Sequence, residues 1–152
     1  MLTTAGPMCQ VGDLSIDADA PGTRFASQWL AKLAADSEVP VAELDRLDLC
    51  LNEVLANIIR HGSQAAKPLV HIAFQVTHGA TGGLANVTVS DAGPAFDITA
   101  AGTHCQPTSL AEAEPGGLGL LMIRSFSDEL RYHYSNGNNH LSFAVRWNSS
   151  DE

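Results

Sequence analysis

The 152-residue chain carries only eight Lys plus Arg against seventeen Asp plus Glu, a formal net charge of −9, and has no basic cluster. Nucleic-acid binders draw most of their affinity from cations set against phosphates, so direct binding of DNA or RNA is not expected. The acidic balance suits solubility, or a protein partner with a basic patch. No apolar run reaches the roughly 18 residues that a membrane span requires. The N-terminus, MLTTAGPMCQVGDLS, has neither the basic segment nor the apolar core of a secretory signal, so the chain reads as cytosolic. Cys9, Cys50 and Cys105 are odd in number and far apart, which suggests neither a disulfide framework nor a thiolate metal site. His71, His78, His104, His133 and His140 show no ligand spacing. There is no Walker A sequence and no dinucleotide-binding glycine fingerprint.

What is present is an ordinary globular composition, 45% hydrophobic. A chain of this length buries about 68–70% of its unfolded surface as one domain. We expect a flexible end over residues 1–9, one domain over 10–148 and a short tail over 149–152. Gln10–Ile16 reads as an edge strand, Asp19-Ala20-Pro21-Gly22 as a turn, and Thr23–Ala35 as a helix with Phe25, Trp29, Leu30 and Leu33 at helical spacing. Val41–Arg60 reads as a second helix, with Gly62 as its C-terminal cap. Val70, Ile72, Phe74 and Val76 alternate as in a half-buried strand, His78–Gly83 reads as a turn, and Leu84–Ser90 as the next strand. Asp97–Gly117, rich in Ala, Gly, Thr and Pro, has the character of a lid. A short helix over Leu118–Phe126 then precedes a hairpin, with Leu130, Tyr132 and Tyr134 alternating before Asn136-Gly137 and Leu141, Phe143, Val145 and Trp147 after it. This order predicts an α+β fold: a two-layer α/β sandwich, with a mixed β-sheet and helices on one face.

Three segments carry polar groups and glycines that packing alone does not require. In Leu47–Gly62, Glu53, Asn57 and His61 recur every fourth residue and so share one helix face, opposite most of the apolar positions. In Val89–Asp97, Asp91 stands at a strand end and is followed at once by Gly93. In Pro115–Leu120, Gly116, Gly117, Leu118 and Gly119 lead into a helix. A neutral Asn oxygen suits Mg²⁺, a hard cation that keeps several waters. An acid one turn away can orient a water or take a hydroxyl proton. A histidine at a helix end, such as His61, is more in keeping with a cap or dipole partner.

In this order, the three segments resemble the N, G1 and G2 boxes of the GHKL (Bergerat-fold) ATP-binding family, and within it the anti-sigma-factor serine/threonine kinases. The hairpin adds Asp128-Glu129, Tyr132, Gly137, Asn139 and Leu141 to the match, which spans roughly residues 10–147. The resemblance implies ATP and Mg²⁺ as cofactors, with Asn57 on the metal and Glu53 as catalytic base. It assigns Asp91 to the adenine amino group and Gly93 to close approach of the base. Gly116, Gly117, Leu118 and Gly119 would present backbone N–H groups to phosphates. It further implies a kinase that binds a sigma factor, phosphorylates a STAS-like anti-anti-sigma protein and forms a homodimer. A non-enzymatic partner-switching module on the same fold is the alternative. A histidine-kinase-type catalytic fragment is disfavoured, since no dimerisation helices with a phosphoacceptor His precede the domain. One departure stands out: no Lys or Arg lies between Phe96 and Gly119. Neutralising charge on a transferring phosphoryl group would then fall to Mg²⁺, to lid amides or to Arg124.

Overall fold

The computed structural model describes residues 9–61, 69–95, 97, 99 and 117–149. Its elements are β1 (Cys9–Asp17), α1 (Ala20–Asp36), α2 (Val41–His61), β2 (Leu69–Gly79), β3 (Gly82–Asp91), α3 (Gly117–Phe126), β4 (Glu129–Ser135) and β5 (Asn138–Asn148). The loose end at 1–8, the Gly62 cap, Phe96 and most of the expected lid, Gly116 included, lie outside the described residues.

Helix α1 begins three residues before the expected start. Asp19 is its N-cap, accepting from the Gly22 amide at 2.8 Å, and Pro21 sits in the first turn. Both residues also signal a turn, but a side-chain acceptor followed by a proline with a preset φ is equally the start of a helix. The connection between β2 and β3 is also shorter than expected. The strands pair as far as Gly79↔Gly82 and leave only Ala80–Thr81 to turn, where a longer turn over His78–Gly83 is expected. Gly83 stays in the ladder because Trp147 on β5 lies where its side chain would be, a built Cβ falling 2.2 Å from the indole ring. Glycine in a strand often marks such a close approach.

The strand order is β1-β2-β3-β5-β4, and all four pairings are antiparallel. This corrects the expectation of a mixed sheet. The excursion through α3 does return β4 in the same direction as β3, but β5 folds back between them and pairs antiparallel with both. Parallel neighbours therefore never touch.

Alternation then sorts the two faces. Val70, Ile72, Phe74, Val87, Val89, Leu141, Phe143 and Val145 are buried in one cluster with Leu30, Leu47, Leu51 and Leu55 of the helices. The other face is polar and is laced by cross-strand pairs, Thr88–Ser142 and Ser90–His140 each at 2.8 Å. Helices on one face of a sheet, as expected, is the arrangement found. Helix α2 is central, packing against α1, α3, β3 and β5. Arg46 fixes it further, donating to Asp128 Oδ2 and the Phe126 carbonyl at 3.2 Å each and to the Arg146 carbonyl at 3.1 Å. One guanidinium thus ties α2 to the end of α3, to Asp128 just before β4 and to β5.

At the α2–α3 contact, fully buried Cys50 directs its thiol at the Ile123 carbonyl, 3.9 Å away. Burial pushes this thiol up to about 11 from 9.0, with Arg46 pulling it down and Glu53 adding to the rise. Folding therefore favours the protonated thiol. Its contribution is complete below pH 9 and is lost as pH climbs from there through about 11. Denaturant titrations across that window should show stability falling by about 2–3 kcal/mol from this group. In Cys50→Ala that part of the slope should vanish, and an unchanged slope would refute the assignment.

Candidate nucleotide-binding site

Asp91 closes a row set by the pleat of β3. Val87 and Val89 are buried on the helix-facing side, and a period of two places Asp91 on that same side at the strand's end. Its cross-strand partners are Val70 and Asn139, residues of the same face. An acid thus stands half-buried at the end of an apolar row, on the face that meets the helices. The chain then turns sharply, with the Gly93 amide donating to Asp91 Oδ1 at 2.8 Å. A Cβ built on Gly93 would lie 2.8 Å from that same oxygen. Any larger residue would have to push the carboxylate aside.

The last hairpin reaches this turn from the other side. Asn139 is 7% exposed, and its Nδ2 donates to Asp91 Oδ1 at 3.2 Å, to the Gly93 carbonyl at 3.3 Å and to the Pro94 carbonyl at 2.9 Å. Tyr132 donates its hydroxyl to Asn139 Oδ1 at 2.5 Å. Among the described residues, both bonds to Asp91 fall on Oδ1, so Oδ2 is the acceptor left for a ligand.

On α2, Asn57 is 8% exposed, and its Nδ2 donates back to the Glu53 carbonyl at 3.0 Å. This fixes the amide plane and turns Oδ1 outward. Nothing among the described residues bonds to that oxygen, yet no buried polar side-chain atom is left unpaired, so solvent reaches it. A neutral, outward oxygen fits a hard cation whose other ligands are phosphate oxygens and water. Among the described residues no group of three or more His, Cys, Asp or Glu is placed to hold a metal without such help. Glu53 is half-buried one turn before Asn57.

Two pairs are therefore brought together directly: Glu53 with Asn57 through the helix, and Asp91 with Gly93 through the turn. Gly117, Leu118 and Gly119 form the first turn of α3, while Gly116 and the side chain of His61 lie outside the described residues. Arg124, on α3, is exposed and donates to the Thr99 carbonyl. Tyr132 and Asn139 stand in the hairpin match but carry no role in the sequence alone, and Arg46 is not marked there at all. An Arg on the first turns of a helix whose partners lie some eighty or more residues on carries no local signal.

The model of the histidine kinase-like ATPase domain family matches residues 16–145, nearly the whole described fold. A serine/threonine-protein kinase of Bordetella bronchiseptica, BtrW, is 31% identical over 130 residues, covering 85% of this chain and 89% of the relative. Among solved structures, the RsbU and RsbW domains of Rv1364c from Mycobacterium tuberculosis superpose with a TM-score of 0.59 at 17% identity. That superposition covers 90% of this chain but only 33% of the longer one, and at such identity it speaks for the fold alone.

Proposed function

Since this chain belongs to the histidine kinase-like ATPase domain family, we propose that it is an ATP-binding serine/threonine protein kinase of the anti-sigma type. In this reading it binds a sigma factor and phosphorylates a STAS-like anti-anti-sigma protein, with nucleotide deciding which partner it holds. The observation that carries the nucleotide assignment is Asp91, a strand-end carboxylate on the helix-facing side with Oδ1 pinned by two donors, which leaves Oδ2 as an acceptor. A carboxylate accepts from the 6-amino group of adenine and meets a carbonyl in guanine, so it selects adenine. Gly93 keeps the wall beside that acid low enough for a base to approach.

The remaining roles follow from chemistry. Asn57 Oδ1 would help hold Mg²⁺, and Gly116, Gly117, Leu118 and Gly119 would offer backbone N–H groups to the phosphates where α3 begins. Bound Mg²⁺ would neutralise charge on the phosphate oxygens. Glu53 orients the serine or threonine hydroxyl of the protein substrate and takes its proton as the new O–P bond forms. The bond between the γ-phosphorus and the β,γ-bridging oxygen breaks, and ADP leaves. What supports the kinase over a plain binding module is the named activity of the 31% identical relative together with Glu53 beside Asn57. What favours the module is the run from Phe96 to Gly119 without Lys or Arg.

The deciding measurement is transfer of label from γ-³²P-ATP to partners co-purified from the native cytosol. Stoichiometric label on a serine or threonine of a STAS-like protein is expected. Tight ATP binding with no label on any bound partner would leave the binding module standing instead.

A further inference from the structure

We infer that Tyr132 is a positioning residue for adenine selectivity, acting through Asn139 on the carboxylate of Asp91. The inference rests on the reading of Asp91 as the adenine acceptor and adds what holds that acceptor still.

The parts of this line are soft. The terminal torsion of an Asp or Asn side chain is broad, so neither group is rigid by itself. Asp91 is held by two donors on one oxygen, the Gly93 amide and Asn139 Nδ2. The first belongs to a turn that the second also clamps, since Asn139 bonds the carbonyls of Gly93 and Pro94. One amide plane therefore bears on both bonds, making one itself and clamping the turn that supplies the other. That plane is gripped at its far end by the Tyr132 hydroxyl at 2.5 Å, a short bond that also polarises the amide toward its Nδ2 donors. Turned over, the amide would set its oxygen against a carboxylate oxygen and two carbonyls, with no proton between them.

The placement is built into the sheet. Asp91 and Asn139 are direct partners across β3 and β5, and Tyr132 pairs with Leu141 across β4 and β5 on the same face. The phenol ring packs against the core, so its hydroxyl is delivered from a fixed stem. Three adjacent strands thus contribute one residue each to a line running hydroxyl, amide, carboxylate. The ring needs a tyrosine only for its last atom. Packing alone would be served equally by phenylalanine.

Tyr132→Phe removes that atom and leaves the stem. The probes are ATP and purine riboside 5′-triphosphate, which differ only in the 6-amino group, each titrated calorimetrically with Mg²⁺ into the intact chain. The parent should prefer ATP. In Tyr132→Phe the ATP affinity should fall by about tenfold, one buried hydrogen bond's worth, while the affinity for the analogue stays put. Asn139→Asp, which sets a second carboxylate against Asp91, should abolish the preference outright. Equal weakening of both nucleotides in Tyr132→Phe would reveal a merely structural role and overturn the inference. So would an undiminished preference for ATP in that variant. A parent that binds both nucleotides equally would bring down the reading of Asp91 itself, a failure distinct from that of the relay alone.

Discussion

Asp91→Asn is expected to bind ATP on the order of 5- to 150-fold more weakly than the parent and to lose its preference over GTP. An amide at this position can turn its NH₂ toward the base, where the adenine amino group needs an acceptor. An unmatched buried pair costs roughly 1–3 kcal/mol. Gly93→Ala should act in the same direction for a separate reason. Its methyl would lie 2.8 Å from Asp91 Oδ1, and since that oxygen ends a side chain, the carboxylate yields rather than the backbone. The fold survives and the acceptor moves. Calorimetric titrations with ATP and GTP, alongside thermal melts of both variants, check this pair. Parent-like ATP affinity in Asp91→Asn, or equal ATP and GTP affinity in the parent, would refute the adenine assignment.

The polar face of α2 should separate binding from chemistry. Glu53→Ala is expected to keep Mg·ATP affinity within about twofold and to lose label transfer by roughly 10²- to 10⁴-fold, because a general base acts in the transition state and not in ground-state binding. Asn57→Ala should lose both. It removes the outward oxygen proposed for the metal, and it also removes the bond to the Glu53 carbonyl that orders this turn. Transfer at the parent rate in both variants would end the catalytic reading of this helix, whatever the nucleotide affinities.

Much of this architecture was legible because single residues decided it locally. The alternation Leu141, Phe143, Val145 and Trp147 marks β5, and Asn136-Gly137, both with positive φ, marks the turn before it. The apolar stripe of α2 marks the central helix, Glu53 and Asn57 were conspicuous as a polar row on the face opposite that stripe, and Asp91 as an acid at a strand end just before Gly93. Illegible features depended on partners far away in sequence. Gly82 and Gly83 look like loop until Trp147 is known to cover them. Antiparallel pairing throughout depends on β5 slipping between β3 and β4, which no local pattern announces. The clamp on Asp91 escaped for the same reason, since Asn139 alone resembles any polar residue near a hairpin turn.

The sheet's connectivity has a kinetic consequence. Two of its four pairings are hairpins closed by two-residue turns, at Ala80–Thr81 and Asn136–Gly137. Such closures are fast, on the order of 1–10 μs. The other two are remote: β1 meets β2 only after both helices intervene, and β3 meets β5 only after the chain has travelled through α3 and β4. Loop-closure entropy must be spent before those contacts return anything, so remote pairings set the pace of folding. Asp91 and Asn139 are the terminal rung of one of them. The clamp on the carboxylate therefore cannot exist in either hairpin alone, and it is completed only as the two halves of the sheet join. On the proposed role of Asp91, competence to select adenine would arrive only when the two hairpins join, and chains with both hairpins formed but not joined would lack it.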